Sequence, residues 1–390
     1  MRIITTTDAL AAFCEEARRH DYVTIDTEFL RERTYWSKLC LIQMALPVGP
    51  GPGTTGQAVL VDPIAGADMS MQPLYDLFGH KHTVKVFHAA RQDLEIFFVE
   101  GGVFPEPLFD TQVAAMVCGF GEQVGYETLV KKIAKENLDK TSRFTDWSRR
   151  PLSVAQMDYA LCDVTHLRVI YEYLAAALAR NGRQMWVEEE LQVLTNPATY
   201  TVHPDDAWLR IKTRTTSGRF LALVKELARF REDYSQRQNV PRARVMKDDA
   251  LLELASTRPT SYEDLGRSRL LQREGRKSDI ADGILAAVKA GMEMRPEDMP
   301  KPDLAREQMQ VNPALADLLR VLLKAKSEQL GVAPKLIASA ADLDAIAAGE
   351  RGVEALRGWR AEAFGDDALR LCRGEIALSA KGNEVRVVVL

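Results

Sequence analysis

The stretch "YVTIDTEFL", residues 22–30, decides how this chain is read. Two acids, Asp26 and Glu28, sit one residue apart inside an otherwise apolar run. Side chains alternate across a strand, so Val23, Ile25 and Thr27 share one face while Thr24, Asp26 and Glu28 share the other. Like charges on one face repel, and neither is stable near a core without compensation. Alone, such a pair also fits a solvated edge strand, so the surrounding chain must decide.

Working outward, "TTDALAAFCEEARR" has helical spacing with Thr7 as its N-cap. "KLCLIQMAL" and "AVLVD" read as two further strands in succession after the opening one. The loop between them holds G-P-G-T-T-G, formally a phosphate-cradling glycine pattern. A strand rather than a helix follows it, so it reads as a turn, and a dinucleotide-binding oxidoreductase is rejected. Then come a helix over 71–79, the strand "TVKVFH" and the helix "AARQDLEIFFVEG". Beyond Asp110 the pattern is helical to about residue 195. Successive strands followed by mixed elements imply a mixed sheet flanked by helices.

The chain has 390 residues, 46% of them hydrophobic and 27% charged, as expected for two or three globular domains. No apolar run reaches the roughly 18 residues of a membrane span, and "MRIITTTDAL" lacks a signal peptide's apolar stretch, which points to the cytoplasm. Five scattered cysteines read as reduced thiols. The net charge of −4 divides unevenly: −8 over residues 1–205, +6 over 206–291 and −2 over 292–390. An acidic part followed by a basic one suggests a metal site in the first and a polyanion bound by the second. "TNPATYTVHPDD" (195–206) and "MRPEDMPKPD" (294–303) read as linkers, giving domains at 1–205, 206–293 and 300–390. The last two share an echo at an offset of 92 residues, in which Leu227, Ser235, Val240 and Val245 align with Leu319, Ser327, Val332 and Ile337.

Two more acids can join the opening pair. Asp93 lies beside the apolar side of its helix, and in "MDYALCDVTHL" Tyr159 and Asp163 are four apart on one helix face. Four carboxylates gathered together would repel unless cations bound between them. Oxygen-only ligands select hard divalent ions such as Mg²⁺ or Mn²⁺. A pair of such ions about 3.5–4 Å apart can orient water and stabilise both oxygens of an in-line phosphoryl displacement.

On these residues the chain resembles a known family. "IDTEF", "FHAARQDLEIF" and "YALCD" are similar to the three exonuclease motifs of the DEDD superfamily, in the subclass with Tyr in the third motif. "DTQVAAMVCGFG" and "LDKTSRFTDWSRRPLSVAQMDYALCDV" narrow the resemblance to the ribonuclease D family. The basic region resembles an HRDC module, and 300–390 a degenerate second copy. The resemblance implies a ribonuclease-H-like α/β exonuclease domain followed by two all-α HRDC-type domains. It further implies that Asp26, Glu28, Asp93 and Asp163 ligate two divalent cations, Mg²⁺ or Mn²⁺, with Tyr159 beside the attacking water. A phenol, with pKa about 10, suits orienting that water better than deprotonating it. The implied activity is 3′→5′ exoribonuclease hydrolysis at single-stranded 3′ ends, releasing nucleoside 5′-monophosphates. The implied partners are transfer RNA precursors and other structured RNAs, with no membrane or obligate protein partner.

Other residues carry weaker claims. His80 and His82 are expected on one strand face, without the cysteines a zinc site would add. His88 opens the helix of Asp93 and is either an RNA contact or a surface or capping histidine. Asp110 is a helix N-cap or an acid supporting the site. Trp147, Arg149 and Arg150 suit stacking and phosphate contact with a single strand, or equally a core Trp beside solvated arginines. Pro151 breaks the local helix and Ser153 caps the next. Two basic clusters, Arg210, Lys212, Arg214 and Arg219, then Arg267, Arg269, Arg273, Arg276 and Lys277, read as phosphate contacts or a solvated surface. Exonuclease action on DNA or very short RNA, and non-catalytic RNA binding, are the alternative functions.

Overall fold

The structure is a computed structural model describing residues 2–49, 56–66, 68–138, 145–213, 215, 217–271, 278–301 and 310–390. Most of the G-P-G-T-T-G turn, and Arg214, Arg273, Arg276 and Lys277, lie outside the described residues.

The alternating strands of the sequence do form a sheet. β1 (Arg2–Ile4), β2 (Tyr22–Leu30), β3 (Lys38–Ala45), β4 (Ala58–Val61), β5 (Val84–Phe87) and β6 (Leu108–Asp110) lie in the order β1-β4-β3-β2-β5-β6. β2, β5 and β6 run parallel, with Thr24 opposite Val86 and Phe87 opposite Asp110, while β3 and β4 are antiparallel. The sheet is therefore mixed. β5 and β6 end in register at Phe87 and Asp110 while β2 runs on to Leu30, and the ends of parallel strands are where such folds build sites. The interleaved helices are α1 (Thr7–Ala17), α2 (Gln72–Phe78), α3 (Arg91–Gly101), α4 (Thr111–Val117) and α5 (Tyr126–Leu129). After them come the long α6 (Val154–Asn181) and α7 (Gln184–Leu194). The N-cap of α1 is Thr6, one residue earlier than expected, its hydroxyl accepting from the Ala9 N–H. Ser153 does cap α6, in a reciprocal capping box with Gln156. His80 and His82 sit in the turn before β5 rather than on a strand, and His88 follows β5 three residues ahead of α3.

Two compact units emerge. One comprises Met1–Glu28, Cys40–Asn196 and Gln308–Leu390; the other comprises Phe29–Leu39 and Pro197–Glu307. The break at Asn196 falls inside the expected linker. Within the first unit, the C-terminal region packs on the helices after the sheet. Trp359 stacks on Trp186 of α7 at 4.5 Å, and Arg360 pairs with Glu190 at 2.7 Å. The Ala333 N–H donates to the Met116 carbonyl of α4. In the second unit, α8 (Gly218–Arg237), α9 (Arg242–Val245), α10 (Asp248–Thr257), α11 (Tyr262–Arg267) and α12 (Ser278–Glu293) enclose their own core around Leu223, Leu227, Leu251 and Ile284. The segment after β2 belongs here: the Tyr35 hydroxyl meets buried Glu232 and Arg242, and Asn239 accepts both the Tyr35 and Trp36 N–H groups. Arg219, assigned from sequence to a basic cluster, instead donates to three carbonyls at the end of α12 and beyond it, Gly291, Met292 and Met294.

The 92-residue echo has a backbone counterpart. Val240 donates to the Ser235 carbonyl at 3.0 Å, as Val332 does to Ser327 at 3.1 Å. α9 corresponds to the short helix Pro334–Ile337 at the same offset. One expectation fails. The C-terminal region is not all helical, because β7 (Ile376–Lys381) and β8 (Glu384–Val389) form an antiparallel hairpin. Its turn is Gly382-Asn383, with Gly382 at φ 65°, a pairing suited to a tight hairpin. The valines of β8 supply the strand propensity. Among the described residues, no helix is long and apolar enough to cross a membrane, and the five cysteines form no disulfide.

Candidate active site

The face arithmetic of β2 builds the site. Tyr22 and Thr24 point towards α6: the Tyr22 hydroxyl donates to Glu172, and the Thr24 hydroxyl donates to the Val164 carbonyl at 2.8 Å. Asp26 and Glu28 continue this face, so they approach the same helix nearer its start. There Asp163 meets them, and carboxylate oxygens of Asp26, Glu28 and Asp163 lie within 4.8 Å of one another. This is the only such grouping of acids, histidines and cysteines among the described residues. The strand is central, not a solvated edge.

Asp93 arrives from the other side. It sits in the first turn of α3, buried, and accepts a hydrogen bond from the Thr27 hydroxyl on the opposite face of β2. It thus falls outside the tight group of three yet acts on it electrostatically. Burial, then Asp26, Asp163 and Asp93, push the Glu28 carboxyl up to about 10. Burial pushes Asp26 up to about 7, against a lowering bond from the Thr27 N–H. Asp93 is also raised, by burial and then by Asp26. Low-dielectric surroundings and mutual repulsion both oppose ionisation, so this cluster is strained as a set of anions. All-oxygen donors in that state suit a hard divalent cation.

The supporting residues were harder to foresee. Asp110, 1% exposed, caps α4 through the Gln112 and Val113 N–H groups. Its carboxylate also accepts from Ala89 and Ala90, holding the turn in which Ala89 has φ 56° before α3 begins. Both sequence roles of Asp110 therefore coexist, and it reaches Asp93 through the backbone. Tyr126 was not foreseen: its hydroxyl donates to the Asp163 and Cys162 carbonyls. Spacing gave no signal for a contact between residues 37 apart.

A cavity of ≈ 280 Å³ opens beside the acids, with Asp26, Asp163, Tyr159, His88 and Tyr126 in its walls. The His88 ring is 5.4 Å from that of Tyr126, its Nδ1 is 3.0 Å from the Thr111 hydroxyl, and burial lowers its basicity. Trp147 is 3% exposed, with its ring 6.1 Å from that of Tyr159. It is a core residue and cannot lie flat on a base. Arg150 is likewise engaged: all five of its donors bind Asp62 and backbone carbonyls, leaving none for a phosphate. Arg149, 83% exposed, is anchored only by Asp146 at 3.2 Å among the described contacts.

Comparisons with known proteins agree with this geometry. Residues 1–179 match the family model described as a 3′-5′ exonuclease, and residues 220–288 match the HRDC domain. Ribonuclease D of Jannaschia sp. is 62% identical over 385 residues, covering 99% of this chain and 98% of that protein. Ribonuclease D of Granulibacter bethesdensis is 46% identical over 388 residues, covering 99% and 96%. The crystal structure of Escherichia coli RNase D superposes with a TM-score of 0.82 at 28% identity, covering 96% of this chain and 98% of that one. The mixed sheet, its converging acids and these full-length matches place the chain in the ribonuclease D family of hydrolases, as a 3′→5′ exoribonuclease.

Proposed function

We infer that this exoribonuclease trims single-stranded 3′ ends of structured RNAs, transfer RNA precursors foremost, releasing one nucleoside 5′-monophosphate per turn. The convergence of Asp26, Glu28 and Asp163 within 4.8 Å carries the reading. Together with Asp93 they would hold two divalent cations, Mg²⁺ or Mn²⁺. Bound there, the ions would neutralise the clustered charge, activate the attacking water and stabilise the leaving 3′-oxygen.

The chain's own residues do the rest. Tyr159, one helical turn before Asp163 and in the cavity wall, donates its hydroxyl hydrogen bond to orient the attacking water. Thr27 fixes the Asp93 carboxylate and favours its ionised form. The His88 and Tyr126 rings offer a wall for the terminal nucleotide, and exposed Arg149 a cation for the strand entering it. The E. coli relative is described as an exoribonuclease involved in structured RNA processing, which supports extending that substrate class to this chain.

The product identifies the reaction. With RNA labelled in its last nucleotide, the first labelled product should be a nucleoside 5′-monophosphate. A labelled oligonucleotide or a 3′-monophosphate would refute the reading. Preference for DNA over the same RNA sequence would refute the substrate. Tyr159→Phe should lower kcat about tenfold or more, as loss of a positioning group does; a rate unchanged within about twofold would refute its role. Thr27→Val removes only the hydroxyl bonded to Asp93. It should raise the Mg²⁺ concentration for half-maximal rate by about tenfold, within the range for lost support of a metal ligand. An unchanged Mg²⁺ titration would show that Thr27 does not tune Asp93.

A further inference from the structure

The segment leading into α6 is fastened more firmly than a connection requires. At one end Arg150, 18% exposed, grips both Asp62 oxygens at 2.6 and 2.7 Å and the Cys40 carbonyl of β3 at 2.7 Å. Its remaining Nη1 donors bind back to the Trp147 and Arg149 carbonyls at 2.7 and 2.8 Å, fixing the turn itself. Asp62 follows β4, is 3% exposed, and also accepts the Ile64 and Ala65 N–H groups. At the other end, the Gln156 side chain of α6 donates to the Thr145 hydroxyl at 3.1 Å. Trp147 lies between these two ties, buried, its ring plane 36° from that of Tyr159. The hydrolysis described above calls on neither Arg150 nor Trp147.

We propose that Arg150 and Trp147 are positioning residues: the Arg150–Asp62 latch holds Trp147 against Tyr159 and thereby fixes the phenol that orients the attacking water. This rests on the role inferred for Tyr159. A tyrosine half-exposed at a cavity wall can rotate about two side-chain bonds, and an indole packed beside it removes part of that freedom. The Trp147 backbone carbonyl is held in turn by a planar guanidinium fork, 18% exposed, that spans sheet and turn, a geometry a lysine cannot reproduce. The latch thus links the sheet that carries Asp26 and Glu28 to the side chain that completes the site.

The test uses the full chain, with Arg150→Gln and Trp147→Leu made alone and combined with Tyr159→Phe. kcat and KM are measured on a single-stranded oligoribonucleotide, below the lowest Tm of the set. Each single substitution should lower kcat about tenfold and leave KM within about twofold, the signature of lost alignment rather than lost binding. In the Tyr159→Phe background the same substitutions should change kcat less than about twofold, because they act through the missing hydroxyl. Arg150→Lys, lacking the fork, should restore little. If Arg150→Gln is too unstable to assay, Asp62→Asn loosens the same latch and carries the same expectation. Three results overturn the proposal with Tyr159→Phe itself impaired. They are a KM rise with kcat intact, an equal fall in kcat in both backgrounds, and a lower Tm with unchanged kinetics. A fully active Tyr159→Phe protein would instead overturn the role of Tyr159, and this proposal with it.

Discussion

Glu28→Gln is expected to slow RNA hydrolysis by about a thousandfold, the scale of losing a preorganised charge at a reacting centre, while raising the Tm of the metal-free protein by a few degrees. Loss of function with gain of stability follows from the acid cluster. Glu28 is pushed up to about 10 and Asp26 to about 7, from ordinary values of 4.5 and 3.8. Between the ordinary and raised values the folded chain binds more protons than the unfolded chain. Stability of the metal-free protein therefore falls as pH rises from about 4 towards about 10. Glutamine keeps the shape and carries no charge, so it relieves this cost, most visibly at alkaline pH. Divalent cations must displace the bound protons, so their affinity strengthens as pH rises through the same window. Mg²⁺ should accordingly raise the Tm of the unmodified chain more at pH 8 than at pH 6, and raise that of Glu28→Gln little. A lower Tm for Glu28→Gln at pH 8, or equal Mg²⁺ stabilisation of both proteins, would contradict the cluster's role.

Asp110→Ala carries the largest expected loss of stability, about 3–5 kcal/mol. One buried carboxylate serves four backbone N–H groups, those of Ala89, Ala90, Gln112 and Val113. Alanine would strip the cap from α4 and leave the other two donors unpaired at the turn into α3. That turn also holds Ala89 in the left-handed region, a conformation an alanine adopts only under constraint. Denaturant titration should show a midpoint well below that of the unmodified chain, and Asp110→Asn should lie between them. The remaining activity should be reduced, since the start of α3 sets where Asp93 stands. A midpoint within experimental scatter of the unmodified chain would show that neighbouring bonds, not Asp110, hold the turn.

Much of the site could be read from the sequence because β2 obeys a strict alternation. The alternation puts Asp26 and Glu28 on the face of Thr24, whereas Asp163 is picked out in the sequence only by its place four residues after Tyr159 and the resemblance of that motif. That this face meets its helix, through the Thr24 bond to the Val164 carbonyl, is visible in the structure alone. Local signals such as the Ser153 capping box and the 92-residue echo were legible for the same reason: each depends on near neighbours. The bond from Thr27 to Asp93 crosses to the other face of the sheet and spans 66 residues, so no local period reports it. The grip of Arg150 on Asp62 spans 88 residues, and "WSRR" by itself reads equally well as an RNA contact. Lys85 was likewise illegible. It is buried in β5, its amine bonded to the His80 and Glu106 carbonyls and its pKa lowered to about 7 by burial. The hairpin of β7 and β8 is a different case, since Gly382-Asn383 and the valines that follow did signal it, within a region whose helical periods drew the reading.

The most direct test of the central claim uses an RNA hairpin with a single-stranded 3′ tail and a 5′ label. Its products are followed in time with Mg²⁺ or Mn²⁺, with chelator, with metal restored, and with Asp163→Asn. The account predicts a ladder that shortens from the 3′ end, stops in chelator, returns with metal and is absent with Asp163→Asn. A ladder that persists in chelator or with Asp163→Asn, or binding without shortening under any metal, would contradict it.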